Sequence, residues 1–159
     1  MGLRIGLGVD YHQLAEGPEL FIGGIRIPHH KGSVGHSDAD VLLHAICDAL
    51  LGAACLGDIG THFPDTDQKY RNIDSKILLK DTFSLIRNEG YSIVNIDSTL
   101  CLQEPKIKPY VPEMRKTIAA ILGLTEKDVS IKATTTEQMG FVGRQEGLVA
   151  YATVLLQTI

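Results

Sequence analysis

The sequence has no surplus of basic residues, no long apolar run and no paired-cysteine motif, and each absence removes a class of function. Its 159 residues carry 15 Lys and Arg against 19 Asp and Glu, a formal charge of −4. General nucleic-acid and membrane-surface binders need a basic footprint, so neither partner is expected. An anionic substrate must then be gripped by a few placed cations, helix ends or metal ions. No apolar stretch approaches the roughly 20 residues that cross a bilayer. The chain reads straight into a strand, without an apolar signal segment or an Arg/Ser-rich transit segment. A soluble, cytoplasmic protein is the expectation. Cys47, Cys55 and Cys101 are scattered without CxxC spacing, and their odd count suggests no disulfide framework. They read as reduced and mostly buried. Repeats, low-complexity tracts and linkers are missing too. With 44% hydrophobic and 21% charged residues, residues 1–159 are expected to form a single domain around one core.

What is present alternates strand and helix signals. Arg4 to Tyr11 reads as a first strand, and "LFIGGIRIP" as a hairpin turning at Gly23-Gly24. From Ser37 to about Leu56, apolar residues recur at helical spacing. Residues 57 to 72 form a polar loop dense in Gly, Asp and Pro, long enough to suggest function. A second helix is expected from Asp74 or Ser75 to about Asn88, stopped by Gly90. "YSIVNIDSTLCL" alternates as a strand, with Val94, Ile96, Ser98 and Leu100 on one face. A third helix runs from Pro112 to Leu122, closed by Gly123. "DVSIKATTT" and "GLVAYATVLLQ" are further strands, joined by the Gly-rich loop "EQMGFVGRQEG". These spacings suggest a two-layer α+β arrangement with helices on one face of a sheet.

The chemistry-bearing residues cluster in a few places. In "GVDYHQL", Asp10 and His12 point to the same face of a strand. In "GHSDADVLLHAICDALLGA", Asp40, His44 and Asp48 share a helical face opposite much of the apolar stripe. Ser37 followed by Asp40 matches a capping box, so Asp40 reads as a cap. If the first strand packs beside this helix, Asp10, His12 and His44 form a three-ligand set of the kind that binds zinc and leaves a position open. Asp58, Asp65 and Asp67 read either as turn chemistry or as carboxylates for polyol hydroxyls or a metal-bound water. The threonine run of "ATTTEQMGFVGRQEG" supplies hydroxyls and N–H groups, and Glu137 after it is a candidate ligand for a hard divalent ion. Gly140 and Gly143 permit close backbone approach, and Arg144 offers a fork suited to phosphate. A strand running into a glycine turn explains the same residues. Lys106 and Lys108 lie between prolines in a loop that is either a solvated connection or a grip for a phosphate or base.

Four stretches, "GVDYHQL", "GHSDADVLLHAICDALLGAACLGDIGTHFPDTD", "EPKIKPY" and "KATTTEQMGFVGRQEG", closely resemble the 2-C-methyl-D-erythritol 2,4-cyclodiphosphate synthase family of the non-mevalonate isoprenoid pathway. The resemblance runs from residue 5 to 156 in the same order. It implies an α/β subunit with a four-stranded mixed sheet, and a homotrimer with sheets packed around a central axis and active sites between subunits. Asp10, His12 and His44 match the family's zinc ligands. Glu137 matches the ligand of a second divalent cation, Mg or Mn, on the substrate diphosphate. His36 and Thr135 match transition-state stabilisers, and His36 and Ser37 match substrate-contacting positions. Asp58, Ile59 and Gly60, with Phe63, Pro64, Asp65, Thr66 and Asp67, match the loop over the methylerythritol and its phosphate. Leu102, Gln103, Glu104, Pro105, Lys106, Ile107 and Lys108, with Thr134, Thr135 and Thr136, match the cytidine pocket. Phe141 and Arg144 complete the pattern.

The implied reaction closes a cyclic diphosphate on a cytidine diphosphate substrate and expels CMP. Two rival readings keep the metal triad: a zinc hydrolase, which needs a positioned base for water, and a non-catalytic metal-binding module, which needs no cytidine pocket and leaves "ATTTE" as plain strand. The family often carries glycine where this chain has Ala39, and smaller or apolar residues in place of Leu102, Glu104 and Lys108, which bears on cytidine packing. His29, His30 and His62 take no role from the resemblance and read as loop residues.

Overall fold

The computed structural model describes residues 2–159. Its first strand, β1, runs from Leu3 to Glu16. The hairpin follows as β2 (Leu20–Ile22) and β3 (Ile25–Ile27), then β4 (Lys31–Val34), helix α1 (Val41–Ala53) and a short helix α2 (Ile59–His62). Next come α3 (Ser75–Asn88), β5 (Tyr91–Cys101), α4 (Val111–Leu122), β6 (Val129–Thr134), the turn-length α5 (Gly140–Gly143) and β7 (Gly147–Thr158). Five strands form one sheet in the order β4-β1-β7-β5-β6, while β2 and β3 form a separate ribbon. Only β5 and β6 run parallel; the other neighbours are antiparallel.

Two features of "RIGLGVDYHQ" set the architecture. Leu3, Ile5 and Leu7 point away from the helices and remain 61%, 75% and 63% exposed. The opposite face carries Gly6 and Gly8, where a Cβ would stand 1.9 Å from the carbonyl oxygens of Ala49 and Ala45 respectively. The missing side chains let the α1 backbone lie directly on the strand. Burial on α1 extends almost all round, from Val41, Leu42 and Leu43 to Leu50, Leu51 and Ala53. At about 25 cal/mol per Å² of apolar area, this helix is the largest contributor to a core completed by Leu78, Leu79 and Ile86 of α3, Met114 and Ile118 of α4, and Ile96 and Leu100 of β5.

Several expectations need correction. The sheet has five strands and not four, because the far half of β1, Gln13 to Glu16, pairs with β4. The glycine-containing "KGSV" shows no alternation that would betray a strand. Helix α1 begins at Val41, and its N-cap is Asp40, whose carboxylate accepts from Leu43 N–H. Ser37 instead accepts from Ala39 N–H at 3.1 Å, so no Ser37 capping box forms. Asp40 is not part of an open polar face: it is fully buried, and the open stripe of α1 is His44, Asp48 and Gly52. In β5 a bulge between Ile93 and Asn95 shifts the phase. Ile93, Ile96, Ser98 and Leu100 are buried, whereas Val94 is not. The polar loop holds α2 and a helical turn at Gln68–Tyr70. All three cysteines are free, but only Cys47 is buried, and Cys55 is exposed. Burial pushes the Cys47 thiol up to about 12.

Candidate metal centre and cavity

The close approach of β1 to α1 decides the site. Gly6 and Gly8 share a strand face with Asp10 and His12, so the two polar side chains emerge against the N-terminal half of α1, where His44 projects from the mostly apolar helix. His12 Nε2 lies 2.9 Å and His44 Nδ1 3.3 Å from Asp10 Oδ2. The two imidazole nitrogens are 3.2 Å apart. Asp10 Oδ2 is buried without a satisfactory hydrogen-bond donor. Three electron-rich atoms therefore converge on one point. Their separations match the edges of a tetrahedron, about 3.3 Å for metal–ligand bonds of about 2.0 Å. The residues fit a zinc ion, with a fourth side left to the cavity, and among the described residues no other such group of His, Cys, Asp or Glu occurs.

Burial raises the Asp10 carboxyl, but the imidazoles of His12 and His44 outweigh it and hold the group down at about 2. Burial lowers the His12 imidazole, yet its contact with Asp10 wins and its pKa is raised. Each partner thus stabilises the charged form of the other.

Beside the triad opens a cavity of about 600 Å³. Its walls include His12, His36, Ser37, His44, Ile59, Gly60, Phe63, Pro64, Asp65 and Thr66, joined by Tyr70, Ile73 and Leu78. Asp48, one turn beyond His44, accepts from Ile59 N–H at 2.7 Å and so moors α2 to α1; burial raises its carboxyl. Asp58 caps α2 through Thr61 N–H and Oγ1 at 2.9 and 2.8 Å. Asp67 caps the following turn through Lys69 N–H at 3.0 Å. These two carboxylates therefore do the turn chemistry that their spacing allowed. His36 Nε2 lies 3.3 Å from the Asp67 carbonyl oxygen, and Asn72 N–H donates to the His36 carbonyl at 2.7 Å. Phe63 and Tyr70 meet edge to face at 5.6 Å.

The other expected site residues gather elsewhere. Parallel pairing of β5 with β6 ends at Cys101 and Thr134. Leu102 N–H then donates to the Thr134 carbonyl at 3.0 Å, and Gln138 N–H to Gln103 Oε1 at 3.2 Å. This brings the start of the segment Leu102 to Lys108 beside Thr134 and Gln138, and neither that segment nor Thr134, Thr135, Thr136 and Glu137 lines the triad cavity. Leu102 and Ile107 are 4% and 1% exposed and belong to the core, so neither is an open face of the loop. Glu104, Lys106 and Lys108 are exposed. Glu137 and Gln138 are consecutive left-handed residues with φ of 52° and 63°. Phe141 packs against Tyr11 with ring centroids 6.2 Å apart. The Arg144 fork is engaged by Glu146 at 2.8 and 3.3 Å. His62 lies in α2 and contacts the Leu56 carbonyl at 2.7 Å, while the His29 and His30 rings meet at a 55° tilt with centroids 4.4 Å apart.

Residues 3–157 match the sequence profile of the YgbB family. The chain belongs to that family. A relative from Bacteroides thetaiotaomicron, named 2-C-methyl-D-erythritol 2,4-cyclodiphosphate synthase, is 60% identical over 157 residues, covering 99% of each chain. Among solved structures, the bifunctional IspDF of Campylobacter jejuni superposes with a TM-score of 0.96 at 42% identity, covering 99% of this chain but 43% of that one. IspF of Plasmodium falciparum, described as a CDP complex, gives a TM-score of 0.87 at 34% identity, covering 99% and 97%. The mixed five-stranded sheet with its helices is thus the fold of this YgbB-family chain and of those structures.

Sequence reasoning placed Asp48 on a helical face with His44 but gave it no role, and it missed Asp38, Tyr70, Ile73, Ser75 and Leu78. Among the missed residues the one available signal was Ser75, readable only as a helix-start residue.

Proposed function

We propose that the chain, as one domain over 1–159, converts 4-diphosphocytidyl-2-C-methyl-D-erythritol 2-phosphate into 2-C-methyl-D-erythritol 2,4-cyclodiphosphate and CMP. The observation that carries this reading is the convergence of Asp10, His12 and His44 within 3.3 Å at the wall of the cavity. Membership of the family and the name of its 60% identical relative support the cyclic diphosphate as product; the cytidyl substrate is the one the motif resemblance implies. The CDP complex of the Plasmodium protein supports a cytidine nucleotide as ligand.

In the reaction, an oxygen of the 2-phosphate forms a bond to the β-phosphorus. The bond from that phosphorus to the bridging oxygen breaks, and its electron pair leaves on CMP. No water is consumed. Attack of one phosphate on another asks little covalent chemistry of side chains; position and charge neutralisation dominate. A zinc ion held by Asp10, His12 and His44 would supply Lewis-acid charge at the phosphoryl oxygens. Glu137 would hold the second divalent cation, Mg or Mn, through a hard carboxylate oxygen. Its left-handed backbone is strain of the kind that collects at ligand sites. Asp58 to Gly60 and Phe63 to Asp67 wall the methylerythritol, with Asp48 fixing α2 against α1. Ser37 and His36 orient the phosphate, and Thr135 and His36 meet the charge that develops in the transition state.

No Lys or Arg lines the triad cavity among the described residues, although the substrate is a polyanion. The missing cation is supplied in this reading by Lys106 of a neighbouring subunit, with its threonines forming the cytidine pocket. The exposed row Leu3, Ile5, Leu7 and Tyr11 on the helix-free sheet face favours a homotrimer whose sheets pack around the axis, since such apolar rows are rarely left to water.

Incubation with the cytidyl substrate tests the reaction: equimolar CMP and a cyclic diphosphate are expected, and CMP with a linear hydrolysis product would refute it. Co-expression tests the shared site. Random mixing of His44→Ala and Lys106→Ala chains at equal amounts, each nearly inactive alone, should recover roughly a quarter of all sites, one in every mixed trimer. Activity equal to the average of the two parents would place both half-sites in one subunit.

A further inference from the structure

Behind the metal triad, His44 is held by a chain of hydrogen bonds that reaches into α3. Its Nε2 lies 2.8 Å from Ser75 Oγ and 3.2 Å from Ser37 Oγ. Ser75 is the first residue of α3 and is fully buried. Its Oγ lies 2.5 Å from Asp38 Oδ1, and its backbone N–H donates to Asp38 Oδ2 at 3.0 Å. Asp38 is itself anchored, because its N–H donates to the Ile73 carbonyl at 3.1 Å and its Oδ1 also accepts from Asp40 N–H at 3.2 Å.

The direction of each bond follows from what each group can do. A carboxylate only accepts, so the single hydroxyl hydrogen of Ser75 points to Asp38. The Ser75 lone pair that remains faces His44, and the proton between them must sit on Nε2. Ser37 Oγ, already accepting from Ala39 N–H at 3.1 Å, offers Nε2 a second and longer acceptor. Nδ1 is then bare and points at Asp10 and His12, as a ligand nitrogen must. Without the chain, the two tautomers of a histidine compete, and one of them turns an N–H toward the metal.

We infer that Ser75 and Asp38 are positioning residues of the metal centre, fixing the His44 imidazole in the tautomer and orientation that present Nδ1 as a ligand. The inference rests on the metal reading given above and deepens it. It also links α3 to the site: the first residue of that helix, which caps no cavity of its own, holds a ligand of α1 in place.

Hydrogen-bond partners of metal-bound histidines are typically worth 10–100-fold in affinity. Ser75→Ala and Asp38→Asn should therefore bind zinc about 10–100-fold more weakly in competition with a chromophoric chelator. With Co²⁺ in place of zinc, the visible absorption of the variants should shift, since the His44 ring is free to turn. Ser84→Ala, which removes only an exposed hydroxyl bonded to the Lys80 carbonyl of the same helix, should leave both readouts unchanged. A purely structural role would lower melting temperatures and leave zinc affinity and the Co²⁺ spectrum of the folded protein as in the parent; that result overturns the inference. Should Ser75→Ala fail to fold, Asp38→Asn, which is isosteric, decides alone. If the parent protein takes up no zinc, the metal reading falls; if the parent binds zinc and both variants match it, only the positioning role falls.

Discussion

Replacing Gly8 with alanine should uncouple the metal centre from the fold, and the structure sets the size of the effect. The added Cβ would stand 1.9 Å from the Ala45 carbonyl oxygen and 2.7 Å from the Ala49 nitrogen. Both are backbone atoms of α1, so no rotamer change relieves the clash. Moving from 1.9 Å to the 3.4 Å of ordinary contact displaces α1 by about 1.5 Å, at a cost near the upper end of overpacking, about 3 kcal/mol. In a domain of this size each kcal/mol is worth about 2–4 °C, so the melting temperature should fall by about 6–12 °C. His44 travels with α1, whereas Asp10 and His12 stay on β1. Metal sites tolerate errors of only about 0.2 Å in ligand distance, so zinc affinity should fall by more than about 100-fold, beyond the loss of one ligand's hydrogen-bond partner. Gly6→Ala clashes equally, with the Ala49 carbonyl oxygen at 1.9 Å, but a turn farther from His44. It should match the thermal loss while keeping more of the metal. Differential scanning fluorimetry of the metal-free forms and chelator competition measure the two effects. A folded Gly8→Ala protein with the parent's zinc affinity would show that the β1–α1 spacing does not hold the triad together.

Three further outcomes follow from buried charge. Asp40 accepts from Gly23, Gly24 and Leu43 N–H groups at 2.9, 2.7 and 3.0 Å, although burial raises its carboxyl. Asp40→Ala strands three donors at about 1–3 kcal/mol each. Urea denaturation should show a loss of at least about 3 kcal/mol, with Asp40→Asn losing less; a change below about 1 kcal/mol would mean that water replaces the carboxylate. Metal binding should depend on pH through His12, whose raised pKa makes the proton a stronger competitor than at an ordinary imidazole. Log affinity against pH should bend above about 6.5, and a bend at or below that value contradicts the Asp10–His12 contact. In the metal-free protein the sign reverses. The stability that His12 contributes is full below about 6.5 and is lost as pH rises through its raised value, so the apo melting temperature should rise from pH 8 to pH 6. Asp10 does not disturb that window, since its contribution is lost only as pH falls toward about 2.

Local signals were enough for α3, α4 and the Gly23-Gly24 hairpin, because their stops and periodicity are written within one segment. Gly90 and Gly123 take the left-handed φ of 82° and 65° that ends a helix. The sequence by itself also named the candidate metal ligands: Asp10 and His12 share a face by strand alternation alone, and the motifs around them tie the chain to its family. Pairing between distant segments decided the rest. Strand β4 exists because β1 runs on to Glu16 and offers it a partner, and a short edge strand of four residues has no periodicity to display. The Ile93/Asn95 bulge turns Val94 out of the core because β7 must stay in register on both sides of it. Asp40 could be read as a cap, but its acceptance of Gly23 and Gly24 N–H groups requires the hairpin to fold onto α1. Ser75 looked like an ordinary helix start, and only the docking of α3 beside α1 sets its hydroxyl 2.8 Å from His44. Residue types and spacing are properties of the chain, whereas a metal site is a set of distances of about 3 Å between residues more than thirty positions apart, and only the packed core imposes those.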